Sequence, residues 1–258
     1  MRIPILTYHL VREDLPSTNL VISKKNLEEQ IRYLRSSGYV SISLQDLLDW
    51  IQTGKSLPPQ PVILTFDDGY LDCYENAWPI LAKYEMRFTV FLVSDQVGSA
   101  NAWQGILSGE LRLMDRHQIR EMHAAGVSFG AHSCTHPSLI RLPDAGLRQE
   151  VRKCRERISE IIGVQPQFFA YPYGEFNGRV CQEVKAAGYA GACTTLHGLN
   201  DNRTDSFQLR RVQVSGLDRL TDFQLKLKLG YGLLSFSNLK RAANHLFREK
   251  KILRGYEA

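Results

Sequence analysis

The stretch that most limits what this chain can fold into is VILTFDDGY, residues 62–70. Val62, Ile63, Leu64 and Thr65 are uncharged and rich in β-branched side chains, the composition of a strand covered on both faces in a parallel sheet or barrel. The run ends in two adjacent carboxylates, Asp67 and Asp68, and then Gly69, which lets the backbone turn tightly. In α/β architectures the carboxyl ends of the strands gather the chemistry, because loops there carry polar groups while the strands hold them still. Two neighbouring carboxylates in a confined site cannot both ionise cheaply without positive charge beside them, and a metal ion is the simplest source. The same letters also make an ordinary surface turn, so the rest of the chain must distinguish the two.

At 258 residues the chain has the length of one barrel domain. Hydrophobic content of 43% with 23% charged residues is that of a soluble globular protein and excludes wholesale disorder. A net charge of +5 suits anionic surfaces or phosphorylated carriers, but the first two thirds hold no clustered basic tract, so no nucleic-acid partner is expected. The opening MRIPILTYHLV is broken by Pro4, Thr7 and His9, too short and polar for a signal-peptide core, and no apolar run reaches membrane-spanning length. The expectation is a cytoplasmic protein. Five scattered cysteines without a CxxC pair read as reduced packing residues.

Taken in order, strand and helix patterns alternate. Ile3–Tyr8 reads as a first strand that delivers His9 to the same kind of edge as the aspartates. Leu27, Ile31 and Leu34 mark a helix capped by Ser23 and ended by Gly38; Leu44–Ile51 makes another, closed at Gly54. A helix over Tyr74–Tyr84 leads to a strand at Phe88–Val93, and residues 94–109 read as a long loop over the strand ends. Asp115–Ala125 is helical, and the strand Val127–Ala131 runs into His132 and His136, two imidazoles four apart. Pro137 disfavours helical geometry there, so a strand-to-helix turn is expected. One aspartate and two histidines make a facial set for a divalent metal with positions left for water and substrate. A charged amphipathic helix, Leu147–Ile162, precedes the strand Phe168–Tyr171, and Pro172-Tyr173-Gly174 turns away from it, offering backbone amides and an aromatic ring. A helix at Arg179–Ala187 and strands at Tyr189–Thr195 and Leu209–Val214 complete the alternation.

With the Asp pair, the His pair and the Tyr-Pro-Tyr-Gly turn in this order on successive strands, residues 3–214 resemble the polysaccharide deacetylase family, also called NodB-homology or carbohydrate esterase family 4. Tyr8-His9, YPYGEFN and the later GLN are similar to the branch that removes N-acetyl groups from exopolysaccharides containing N-acetylglucosamine. The resemblance implies a distorted (β/α) barrel with fewer than eight strands, and a divalent metal, usually zinc, with cobalt or nickel as alternatives. It implies Asp68, His132 and His136 as metal ligands and Asp67 as general base. The metal and the backbone N–H of Tyr173, set by Pro172, would stabilise the oxyanion of an N-acetylated glycan under hydrolysis.

The chain departs from the family pattern at two points. Ala170 stands where many members carry an arginine that orients the base, and no Leu-x-His motif follows Val214 to supply the general acid. Arg211 is the candidate for the missing cation, and His9 and His197 are the candidates for the acid. A sugar-binding pseudoenzyme is the alternative those departures leave open. Residues 217–258, rich in Lys and Arg, read as a basic helical extension after the 1–216 barrel, packing on it or touching the inner face of a membrane.

Overall fold

The computed structural model describes residues 1–101 and 111–231. Its strands and helices alternate as the hydrophobic pattern requires. The first strand, β1 (Ile5–Tyr8), is followed by β2 (Leu10–Val11) and β3 (Val21–Ile22), which pair with each other in parallel. Helix α1 (Lys24–Ser36) starts where the Ser23 side chain accepts the Asn26 N–H, and it buries Leu27, Ile31 and Leu34. Then come β4 (Val40–Ser41), α2 (Leu44–Thr53) with a reciprocal Ser43–Asp46 cap and left-handed Gly54 at its end, and β5 (Pro61–Phe66).

The helix expected over 74–84 is divided. Residues 73–77 form a π turn in which Trp78 N–H reaches Cys73 O, and α3 proper is Trp78–Lys83. Pro79 is the physical reason: it has no N–H to give and its ring crowds the preceding turn, so the chain widens ahead of it. Beyond lie β6 (Thr89–Leu92), α4 (Arg116–Ala124), β7 (Ser128–Ala131), α5 (Asp144–Ile162), β8 (Phe168–Ala170), α6 (Gly178–Ala186), β9 (Gly191–Cys193), β10 (Val212–Gln213) and α7 (Leu220–Leu229). Of the long loop expected at 94–109, residues 102–109 lie outside the described residues.

All strand pairs of the main sheet are parallel, in the order β10-β1-β5-β6-β7-β8-β9, with β4 beside the first residues of β5. The two ends of this path approach each other, because Leu209, just before β10, bridges Cys193 of β9. The result is a distorted (β/α) barrel of the kind the resemblance implies, with seven strands on the curled path and β4 as an eighth strand beside β5. Its strands are buried, which explains the uncharged runs, and α1, α3, α4, α5 and α6 pack their apolar faces outside it. Each fully buried Leu, Ile or Phe contributes about 1.5–3 kcal/mol. All strands point the same way, so their carboxyl ends share one rim. At that rim lie His9 after β1, Asp67 and Asp68 after β5, His132 after β7 and Tyr171–Gly174 after β8.

Four of the five cysteines are buried, and none is bridged. No helix among the described residues is long and apolar enough to cross a membrane. Helix α7 seats Phe223 edge-on against Tyr33 of α1, and its Lys226 is held by Gln213 O and Asp218. The rest of the basic tail, 232–258, lies outside the described residues.

One buried acid off the rim has a measurable consequence. Asp72 accepts the Val11 N–H through Oδ2, while its buried Oδ1 meets no partner, and burial pushes its carboxyl up to about 7. The folded chain therefore holds a proton that the unfolded chain releases near pH 4. Stability attributable to Asp72 falls as pH rises from about 4 toward 7 and stays low above it. Asp72→Asn keeps an acceptor for Val11 without a charge to bury, and should stabilise the protein at pH 8 by on the order of 1–3 kcal/mol and by much less at pH 5. Urea unfolding at the two pH values measures this.

Candidate active site

The site begins with backbone conformation. Among the described residues five non-glycine residues have positive φ, and four of them, Asp68 (72°), Ser133 (65°), His136 (62°) and Tyr173 (58°), lie at this rim. Each such residue costs about 1–3 kcal/mol and persists only where its surroundings over-determine it. The chain spends that energy at the ends of three strands, β5, β7 and β8.

Asp68, His132 and His136 converge. His132 Nε2 and His136 Nε2 lie 3.2 Å apart, and Asp68 Oδ1 is 3.5 Å from each. All three residues are buried, and Asp68 Oδ1 meets no hydrogen-bond donor. Donors bound at about 2.0–2.1 Å around a tetrahedral cation sit about 3.3–3.4 Å apart, so this triangle fits a divalent ion closely. The tautomer agrees. His132 Nδ1 lies 2.7 Å from Ala170 O, and a carbonyl can only accept, so Nδ1 carries the proton and Nε2 offers its lone pair. Burial pushes both imidazoles below their ordinary range. Burial, with the neighbouring Asp67 charge second, pushes the Asp68 carboxyl up to about 8. The imidazoles are thus neutral, and Asp68 is the group that gives up a proton when a cation binds.

Asp67 lies apart from that triangle. Arg211 grips it with a two-pronged fork, Nη1 to Oδ1 and Nη2 to Oδ2, both at 2.7 Å, while Arg211 Nε donates to Thr194 O. Arginine and aspartate are both buried. Burial alone would raise the Asp67 carboxyl, but the Arg211 guanidinium, aided by His132, holds it below the usual carboxylate range. Arg211 thus occupies the place beside Asp67 that Ala170 cannot fill.

His9 Nε2 lies 3.9 Å from Asp67 Oδ2 and faces the same cavity, and burial lowers the His9 imidazole to about 4. Tyr8, stacked on Phe66 and bonded through its hydroxyl to Gln30, fixes the end of β1 that carries it. The cavity, of about 190 Å³, is lined by Thr7, His9, Leu20, Asp67, Asp68, His132, His136, Tyr171, Tyr173, Gly174, Thr195, Arg211 and Gln213. His197 is not among them. It is exposed, and its carbonyl accepts from Arg210, so of the two histidines proposed for the acid only His9 reaches the site.

Pro172 is buried and starts a single 3-10 turn at the end of β8. Tyr173, second in that turn, has no acceptor within it for its N–H. Its ring, half exposed at the mouth, meets the His136 ring edge-on at 4.6 Å. Gly174 follows with φ 70°, and a Cβ there would lie 1.9 Å from Thr195 Oγ1. Gly174→Ala therefore cannot keep this turn. It should displace the Tyr173 amide and lower turnover at least tenfold while far-UV circular dichroism stays unchanged.

Several lining residues carried no sequence signal. Thr195 and Gln213 follow or end strands β9 and β10, so their position at strand ends was the available clue. Leu20 enters from the link between β2 and β3 and had none. Tyr70, outside that lining, accepts from Asn101 Nδ2 at 2.7 Å through its hydroxyl and looked like part of the turn alone.

Comparison with known proteins follows the same lines. The chain is 26% identical over 214 residues to YxkH of Bacillus subtilis, covering 83% of this chain and 72% of that protein. It is 27% identical to the poly-β-1,6-N-acetyl-D-glucosamine N-deacetylase of Escherichia coli, covering 84% of this chain and 37% of that longer protein. Among solved structures, the deacetylase PplD of Streptococcus pyogenes, determined with acetate, superposes with a TM-score of 0.78 at 22% identity, covering 88% of this chain and 98% of that one. The polysaccharide deacetylase family model matches residues 54–192, more than half of the chain and the part that holds both aspartates, both histidines and the Tyr173 turn, and the chain belongs to that family.

Proposed function

We propose that this protein is a metal-dependent N-deacetylase that hydrolyses the N-acetyl group of a glycan containing N-acetylglucosamine. The observation that carries this reading is the Asp68–His132–His136 triangle beside a carboxylate, Asp67, held off it by Arg211. Relatives named for poly-β-1,6-N-acetylglucosamine make β-1,6-linked oligomers the first substrate to try. Zinc suits the donor set and spacing, and cobalt or nickel would occupy the same position.

A cation held by these three side chains would polarise the amide carbonyl and acidify a water. The chain's own residues do the remaining work. Asp67, ionised and oriented by Arg211, takes the proton of the attacking water. The Tyr173 N–H donates to the oxyanion that forms on the substrate. His9 is the candidate to protonate the leaving nitrogen; since burial keeps its ring neutral at rest, the proton it delivers is the one Asp67 has taken, passed through one water because the two groups lie 3.9 Å apart.

Acetate release tests the reading. Protein reconstituted with one equivalent of zinc should free acetate from β-1,6-linked N-acetylglucosamine oligomers. No acid released from any N-acylated sugar, with zinc or cobalt, would sink it.

A further inference from the structure

The two histidines of the triangle sit on a five-residue turn that contains two left-handed residues, Ser133 and His136. Such a turn is held largely from outside, so what holds it decides whether the imidazoles keep their places. Within the turn, the His136 N–H is held by Ser133 Oγ at 2.9 Å. The amides of Cys134 and Thr135 point outward, away from the cavity and toward helix α5. There a single carboxylate collects them: Glu150 Oε2 accepts from Cys134 N at 2.8 Å and Thr135 N at 2.9 Å, and Oε1 accepts from Thr135 Oγ1 at 2.8 Å.

The carbonyl side of the turn is also held. Ser94 N and Asp95 N, after β6, donate to Ser133 O and Cys134 O, and the Asp95 side chain pairs with Arg157, two turns along α5 from Glu150. Helix α5 is well anchored by Leu147, Val151, Cys154 and Ile158, so it offers a rigid mount. A carboxylate that accepts three hydrogen bonds from one short turn is a strong clamp, because charge-assisted bonds are roughly twice as strong as neutral ones.

We propose that Glu150 is a positioning residue for the metal ligands: it fixes the turn that carries His132 and His136, and so sets the affinity of the triangle for a divalent cation. The inference rests on the reading of Asp68, His132 and His136 as metal ligands. Groups that orient ligands typically change metal affinity about 10–100-fold when removed.

The test uses the full chain, metal-free, with Glu150→Ala, Glu150→Gln and Thr135→Val, and with Glu160→Ala as a control on an exposed position of the same helix. Two quantities are read: hydrogen exchange of the Cys134 and Thr135 amides, and the zinc dissociation constant by chelator competition. Glu150→Ala should speed exchange of both amides and raise the zinc constant about 10–100-fold. Glu150→Gln and Thr135→Val, which keep part of the clamp, should give smaller increases, and Glu160→Ala none. Melting of the metal-free protein should change little, since the buried face of α5 is intact. If Glu150→Ala does not fold, the two milder variants carry the same comparison. Zinc constants within twofold of the parent for every variant that folds would overturn the inference. If the parent and His132→Ala bind zinc equally, the underlying metal reading has failed instead.

Discussion

Asp67→Asn should lower kcat about 10²–10⁴-fold, the usual worth of a positioned general base, while the protein still binds one equivalent of zinc. The separation follows from geometry. Asp67 turns both its oxygens to Arg211, and Asp68 turns Oδ1 to the two imidazoles, so adjacent residues serve different partners. Asparagine keeps the shape but cannot take a proton. Its amide also points N–H groups at a guanidinium that only donates, so one prong of the fork is lost. A loss of stability of about 3–5 kcal/mol should accompany the fall in turnover, because Arg211 is left buried without its carboxylate, with KM nearly unchanged. Steady-state kinetics with metal analysis of the same preparation checks all three.

Arg211→Met should cost both stability and activity. Removing one partner of a buried ion pair leaves a charge without compensation and typically costs 3–5 kcal/mol, so a loss of about 4 kcal/mol is expected. The same change frees Asp67 from its orientation, and kcat should fall at least tenfold. Arg211→Lys separates the two effects: it restores a charge but not the fork, so it should recover more stability than turnover. The double variant Asp67→Asn with Arg211→Met should be less destabilised than the sum of its parts, because the second change removes a charge already left alone. Denaturant titration of the four proteins gives the cycle.

Much of this was legible in the sequence because the signals were local. Uncharged runs such as VILTF announce buried parallel strands, and a polar residue directly after each run must lie on the rim. That reasoning brought His9, Asp67, Asp68, His132, His136 and Tyr173 together before any coordinates. Arg211 was legible only through the resemblance, which implies an arginine beside the base and finds Ala170 in its usual place; its fork depends on β10 lying beside β1, a contact across nearly the whole chain. His197 was a candidate for the acid but lacks the place, because β9 ends at Cys193 and His197 is exposed outside the cavity. The Glu150 clamp was hidden for a different reason. On a charged amphipathic helix one carboxylate looks like another, and only the packing of α5 against the turn distinguishes it.

The division of labour between the two aspartates is the centre of this account, and zinc stoichiometry tests it most directly. Metal-free parent protein, Asp67→Asn and Asp68→Asn are each dialysed against zinc and analysed for bound metal. The account predicts one equivalent in the parent, one in Asp67→Asn and far less than one in Asp68→Asn. Full zinc in Asp68→Asn, or its loss in Asp67→Asn, would contradict it.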